Sequence, residues 1–175
     1  MISSFGPGFE PLHLHKTSGI LTIQYVGFYF RAMQNFPDIY QTLNLAIAAH
    51  EGQVDNSGQP YIYHPIRVAL RCENDEERIV ALLHDVLEDT NITSEKLKEL
   101  NYPDKIIRAI EAISRHDEED YGDFIERCSQ NDLARRVKIH DLEDNMDTRR
   151  LVQVSQRRIE KYQRAYERLK TFENQ

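Results

Sequence analysis

From about residue 37 to the end of the chain, apolar side chains recur every three or four positions. That period predicts helices, because residues so spaced share one face. A first helix is predicted from Pro37, a favourable first-turn residue, to near Gly52, with Leu43, Leu45, Ala46, Ala48 and Ala49 on its apolar side. A short buried helix follows, with Pro65 in its first turn and Ile66, Val68, Ala69 and Leu70 after it. Asp75 is expected to cap a third, with Glu76 and Glu77 in its first turn. It runs through the apolar stretch IVALL (79–83) into HDVLEDT (84–90). A turn at residues 91–94 precedes a short helix through Leu100, and Pro103 starts another with Ile106, Ile107, Ala109, Ile110 and Ile113 as its stripe. Further helices are predicted over 121–128, from Asp132 through 148, and over about 155–172, the last carrying Ile159, Tyr162, Ala165, Tyr166 and Leu169. The breaks are turn-rich or charged: QVDNSGQP at 53–60 and SRHDEEDYGD at 114–123. The pattern gives an all-α bundle of about seven or eight helices with no internal repeat and no linker.

Residues 1–32 depart from this pattern. Gly6, Pro7, Gly8 and Pro11 break any early element. Residues 20–30 are rich in β-branched and aromatic side chains and suit a short strand or a packing arm. His13 and His15 read as an exposed tail pair. The expectation is an N-terminal extension or arm over 1–32 and a single domain over 33–175, with Met33 a plausible native start. No apolar run reaches the roughly 18 residues of a membrane span. A net charge of −7 argues against a broad nucleic-acid-binding face, though not against one small nucleotide in a metal-lined pocket. Cys72 and Cys128 are far apart with no CxxC and read as free thiols in a reducing, cytoplasmic compartment.

The chemistry concentrates in HDVLEDT, which puts His84, Asp85, Glu88 and Asp89 directly after an apolar run. Burying unpaired charge is costly, so such a cluster needs partners. On a continuous helix His84 lies over Glu88 and Asp85 over Asp89. A solvated acidic helix end is the plain alternative. Two further histidines have plain readings too: His50 closes the first helix, where it complements the dipole, and His64, before Pro65, fixes a loop. Collected across three helices, however, His50, His84, Asp85 and Asp141 make a plausible two-imidazole, two-carboxylate site, with Asn145 and Thr148 further along the same helix as Asp141. Mixed His and Asp ligands suit manganese or iron(II), with zinc or magnesium behind them. Such an ion acidifies water and stabilises charge on a phosphoryl group, and Glu88 and Asp89 would orient water and move a proton.

Four motifs in order, AAHEGQ (48–53), PYIYHPIRVA (60–69), IVALL with HDVLEDT, and VKIHDLEDNMDT (137–148), resemble the HD-type hydrolase domain of the RelA/SpoT family and its stand-alone relatives. The resemblance spans roughly residues 38–170. It implies an HD fold and a manganese-dependent pyrophosphohydrolase that removes the 3′-diphosphate of ppGpp-like nucleotides. By position it implies metal ligands at His50, His84, Asp85 and Asp141, an acidic pair at Glu88 and Asp89, and nucleotide contacts at Asn145 and Thr148. Lys138 matches a family lysine and either pairs with a carboxylate or faces phosphate, and Arg115 is a second phosphate candidate. The chain departs from the pattern at Asp55 and Asn56, where long family members carry a basic pair that holds guanine. An Arg stacks on a base and grips phosphate as a planar fork, and an Asp does neither, so the residues leave the base open. His140 and Asp144 stand where the long proteins usually have Ala and His; they reshape the pocket or only decorate the helix. Another nucleotide phosphate, such as a nicotinamide dinucleotide phosphate, and a non-catalytic nucleotide-binding protein are the alternative readings.

Overall fold

The structure, a computed structural model, describes residues 36–147 and 155–172. Among these residues are nine helical segments and no strand: α1 (Ile39–Ala49), α2 (Tyr63–Arg71), α3 (Asp75–Leu83), α4 (Val86–Asp89), α5 (Ser94–Glu99), α6 (Asp104–Ile113), α7 (Tyr121–Ser129), α8 (Asp132–Asn145) and α9 (Gln156–Lys170). The all-α bundle read from the sequence is therefore the observed architecture. All the described residues fall within one compact unit, Asn35–Gln175. The expected arm at 1–32, its possible strand and the Met33 start lie outside the described residues.

Short polar residues fix the helix starts. Asp38 and Gln41 form a reciprocal capping box on α1. Asn74, rather than the expected Asp75, caps α3 by accepting the Glu77 N–H at 3.0 Å, which leaves Asp75 to meet the helix dipole one position on. Thr93, Asp120, Asn131 and Ser155 cap α5, α7, α8 and α9 in the same way. Helices α3 and α8 form the centre. Helix α8 packs against α2, α3, α6, α7 and α9, and α3 packs against α1, α2, α6 and α8. Leu83, Val80, Ile107, Ile110, Ile113, Phe124 and Leu142 are fully buried between them. Each such side chain contributes about 1.5–3 kcal/mol of burial free energy, and that holds the two chemistry-bearing segments at a fixed distance.

One expectation changes. HDVLEDT is not a continuous helical turn. Helix α3 stops at Leu83, His84 is its C-cap, Asp85 precedes the single turn α4, and the pair occupies the break. His84 Nδ1 donates to the Ala81 carbonyl at 2.7 Å, satisfying an acceptor of the last turn. The backbone carbonyl of Asp85 then restarts the ladder by accepting the N–H groups of Glu88 and Asp89. The loop before α2 is closed by an isolated bridge between Val54 and Pro60, with Gly58 at φ 75° inside it.

Candidate metal centre

Three elements meet at the His84–Asp85 break: α2 brings His64, the α3–α4 junction brings His84 and Asp85, and α8 brings Asp141. His64, His84 and Asp141 are buried, and one ligand atom of each lies within 4.8 Å of the others. His64 Nε2 is 3.0 Å from Asp141 Oδ1 and 3.7 Å from Asp85 Oδ2. His84 Nε2 is 2.9 Å from Asp85 Oδ2 and 3.6 Å from Asp141 Oδ1. The two Nε2 atoms are 3.3 Å apart.

Both Nδ1 atoms are already committed. His84 gives its Nδ1–H to Ala81, and His64 gives its own to Asp144 Oδ2 at 2.8 Å. In the neutral imidazoles both Nε2 atoms are consequently lone pairs. Two such lone pairs aimed at each other and at two carboxylates repel unless positive charge sits among them. The titration behaviour follows: burial opposes the imidazolium form of both histidines, yet the neighbouring carboxylates outweigh it and raise both pKa values. Burial likewise opposes ionisation of Asp85 and Asp141, but His84 for the one and Lys138 for the other hold them below the usual carboxylate range. The donor set is that of a divalent cation site: two imidazoles, two carboxylates and no thiolate.

The surrounding groups orient these donors. Lys138 Nζ is 2.8 Å from Asp141 Oδ2, and Asn145 Nδ2 donates to Asp141 Oδ1 at 2.6 Å. Burial works against the Lys138 charge, but Asp141 keeps its pKa above the ordinary lysine value. Tyr61 donates its hydroxyl to Asp85 Oδ2 at 2.5 Å. Carboxylates held this way by second partners keep their orientation.

His50, expected among the ligands, is not in this cluster. It caps α1, its Nδ1 pairs with Gln53 Oε1 at 2.7 Å, and its ring packs on Tyr61 at 5.0 Å, with Nε2 buried and without a hydrogen-bond partner among the described residues. It lines a separate groove beside α1, whereas His64 lines the cleft that contains the cluster. Gln53 in turn donates to the backbone carbonyl of Asp89 at 2.7 Å, so the first histidine motif braces the acidic pair from behind. His64, assigned from sequence to loop fixing, is the residue that enters the site.

The cleft above the cluster has a volume of about 440 Å³. Glu88 lies on its wall, and its Oε1 accepts the backbone N–H of Arg115 at 2.9 Å. Burial raises the pKa of Glu88, opposed by that N–H. Burial and the Asp85 charge raise Asp89. Arg115 lines the cleft, but its guanidinium is turned onto the Glu119 carbonyl. Asn145 and Lys138 line the cleft as well as holding Asp141. Thr148 lies outside the described residues.

Three residues of the last helix to which the sequence assigned no part in the site also line the cleft: Arg158, Lys161 and Tyr162, the last from the apolar stripe. Lys161 Nζ sits 4.0 Å over the Tyr121 ring with no ion pair among the described residues. Burial and Arg158 lower its pKa. Tyr162, three residues after Ile159 and four before Tyr166, carried the spacing signal; Arg158 and Lys161 did not. His140 pairs with Glu143 on the surface of α8, whereas Asp144 is fully buried behind His64.

No protein-family model matches the chain. Over 127 residues, 66% of its length, it is 31% identical to a guanosine-3′,5′-bis(diphosphate) 3′-pyrophosphohydrolase of Aquifex aeolicus. Over 95 residues it is 37% identical to the bifunctional (p)ppGpp synthase/hydrolase SpoT of Escherichia coli. Over these segments the chain is similar to RelA/SpoT-type proteins. The matched segments amount to 18% and 13% of those two proteins, so the chain spans under a fifth of the curated relatives it matches. In fold, the chain superposes on a solved structure described as a metazoan ortholog of SpoT that hydrolyzes ppGpp, with a TM-score of 0.64 and 22% identity, covering 78% of this chain and 86% of that one. The likeness extends through most of the helical bundle.

Proposed function

We propose that this domain is a metal-dependent phosphohydrolase of nucleotide phosphate esters, with ppGpp-like 3′-diphosphates the leading substrate class. The observation that carries the reading is the convergence of His64 Nε2, His84 Nε2, Asp85 and Asp141 with both Nδ1 atoms tied off behind them. These four residues would hold the cation, with His64 in the place expected of His50. Manganese is the first choice for this donor set, ahead of iron(II), zinc and magnesium. When bound, the ion supplies Lewis acidity toward water and toward a phosphate oxygen. Lys138, beside Asp141, and Arg158 and Lys161 on α9 line the cleft and would meet an anionic substrate there. Asn145 fixes the Asp141 carboxylate and presents its polar end to the cleft. Glu88, whose pKa burial raises, is the group placed to hold or release a proton at the cleft wall, with Asp89 behind it. The partner is a small nucleotide. No described helix is long and apolar enough to cross a membrane. The buried, unbridged Cys72 and Cys128 fit a reducing, cytoplasmic compartment.

A second reading keeps the chemistry and changes the base. Asp55, on the cleft rim, spends its carboxylate on the N–H groups of Ser57 and Gln59 and offers no guanidinium to stack on guanine. This favours another nucleotide phosphate, such as a nicotinamide dinucleotide phosphate. A panel of ppGpp, NADPH and related nucleotides, incubated with manganese-loaded protein and assayed for pyrophosphate and phosphate, separates the two. Release is expected from at least one and should vanish in Asp85→Ala with the helical circular dichroism unchanged. A metal-loaded protein that cleaves none of them overturns the proposal.

A further inference from the structure

Asp144 is fully buried on α8, three residues after Asp141. Its Oδ2 accepts His64 Nδ1–H at 2.8 Å, and its carboxylate also accepts Arg67 Nε at 3.0 Å and Arg67 Nη2 at 3.1 Å, with Arg71 Nη2 at 3.9 Å. A carboxylate gripped by two N–H groups of Arg67 acts toward His64 as an acceptor.

His64 has a choice of two tautomers. Its Nε2 faces Asp141 Oδ1 at 3.0 Å, an acceptor that would welcome a proton there and so remove the lone pair from the cluster. Only a stronger acceptor on the other nitrogen keeps the proton at Nδ1. His84 has a backbone carbonyl for that task, and its ring sits against α3. His64 has no carbonyl within reach among its recorded contacts, and Asp144 is its Nδ1 partner.

We infer that Asp144 is a positioning residue: through its bond to His64 Nδ1 it selects the tautomer and ring setting that present Nε2 to the metal centre. The inference rests on the metal-centre reading above. It assigns the buried charge to a defined task, and it gives α8 two residues of the centre, Asp141 facing the cation and Asp144 behind its second imidazole. Arg67 pairs with the same carboxylate, which places Arg67 two steps from the ion.

Manganese titration by calorimetry on the full chain tests it, beside wild type, in Asp144→Ala, Asp144→Asn and Arg67→Ala. Outer partners of metal-bound histidines are worth roughly 10–100-fold in affinity. Asp144→Ala is expected to weaken binding by about that factor. Asp144→Asn, which keeps an acceptor oxygen, should fall between. Arg67→Ala, which breaks the ion pair but leaves the His64 bond, should bind close to wild type. Nitrogen-15 spectra of His64 in the metal-free protein at alkaline pH give a readout that a merely structural role would not move: the proton on Nδ1 in wild type and Arg67→Ala, and on Nε2 in Asp144→Ala. A folded Asp144→Ala with wild-type affinity, or with the Nδ1 proton retained, overturns the inference. If Asp144→Ala does not fold, Asp144→Asn decides, an unchanged affinity counting against. If wild type binds no manganese, the metal-centre reading falls, and the tautomer measurement still decides the role of Asp144.

Discussion

His50 and His64 are fourteen positions apart in sequence, each closing or opening a helix, and only one carries its lone pair into the cluster. Composition and spacing do not tell them apart. Both precede or follow helix boundaries, and both belong to motifs shared with RelA/SpoT domains. What separates them is the ring of Tyr61, which contacts both imidazoles, and the bond from His50 to Gln53 that turns it to the groove beside α1. The expected outcome is a sharp division between two variants. His64→Ala should lose manganese affinity by more than the roughly 10–100-fold typical of an outer partner. His50→Ala should keep its metal and lose about 1–3 kcal/mol of stability, because a buried ring and its bond to Gln53 go with it. Metal analysis and urea denaturation of the two read both effects. The other proposed ligands were legible: His84, Asp85 and Asp141 carry donors beside apolar runs, and that conflict already demanded a partner.

At the scale of elements, helix starts could be read almost to the residue, because caps are local chemistry. Ser155 caps where the last helix was expected to start and Thr93 lies in the expected turn, while Asp38 and Asn74 cap one residue from the expected Pro37 and Asp75. The break at His84 could not, because nothing in IVALLHDVLED interrupts the helical period. The stop comes from a local bond of His84 Nδ1 to the Ala81 carbonyl and a tertiary bond of Ser114 Oγ to the His84 carbonyl. The segment between α6 and α7 is held by Arg127, whose guanidinium reaches the carbonyls of Glu111, Ala112 and Ser114 and pairs with Glu119 at 2.8 Å. The Arg127 hydrogen bond holds the Glu119 pKa at about 2, against an ordinary value of 4.5. A carboxylate with a depressed folded pKa stabilises the fold above its ordinary pKa, and that contribution is lost as pH falls from about 4.5 toward 2. Urea midpoints of wild type should therefore drop more steeply than those of Glu119→Gln between pH 5 and pH 3. Equal slopes would remove the pair from the stability of this segment.

At the scale of the molecule, the cluster is a concentration of negative charge and lone pairs that the buried α3–α8 contact forces together. Folding without a counter-ion has to place that charge in the interior, with Lys138 the nearest fixed cation. A divalent ion bound only by the folded chain adds RT ln(1 + [L]/Kd), about 2.7 kcal/mol at a hundredfold excess over Kd. Manganese should raise the thermal midpoint in a concentration-dependent way, and EDTA should reverse it. A midpoint indifferent to both would mean that the site takes no ion. The bundle itself was legible because its helices are amphipathic one by one. The cationic wall was not, because Arg158 and Lys161 read as solvated until α9 is laid beside α8.

The clamp made by Arg127 has one more consequence. Glu88 receives a backbone N–H from position 115, and the arginine grips carbonyls on one side of the segment and Glu119 on the other. None of these bonds depends on the side chains at 115–118, except that proline at 115 would lack the N–H. Arg115 lines the cleft, and with it positions 116–118 form an exchangeable segment, provided position 118 accepts the φ of 62° that Glu118 adopts. New sequences can be grafted there to retune what enters the cleft, while the ends stay anchored and the Glu88 wall stays in register.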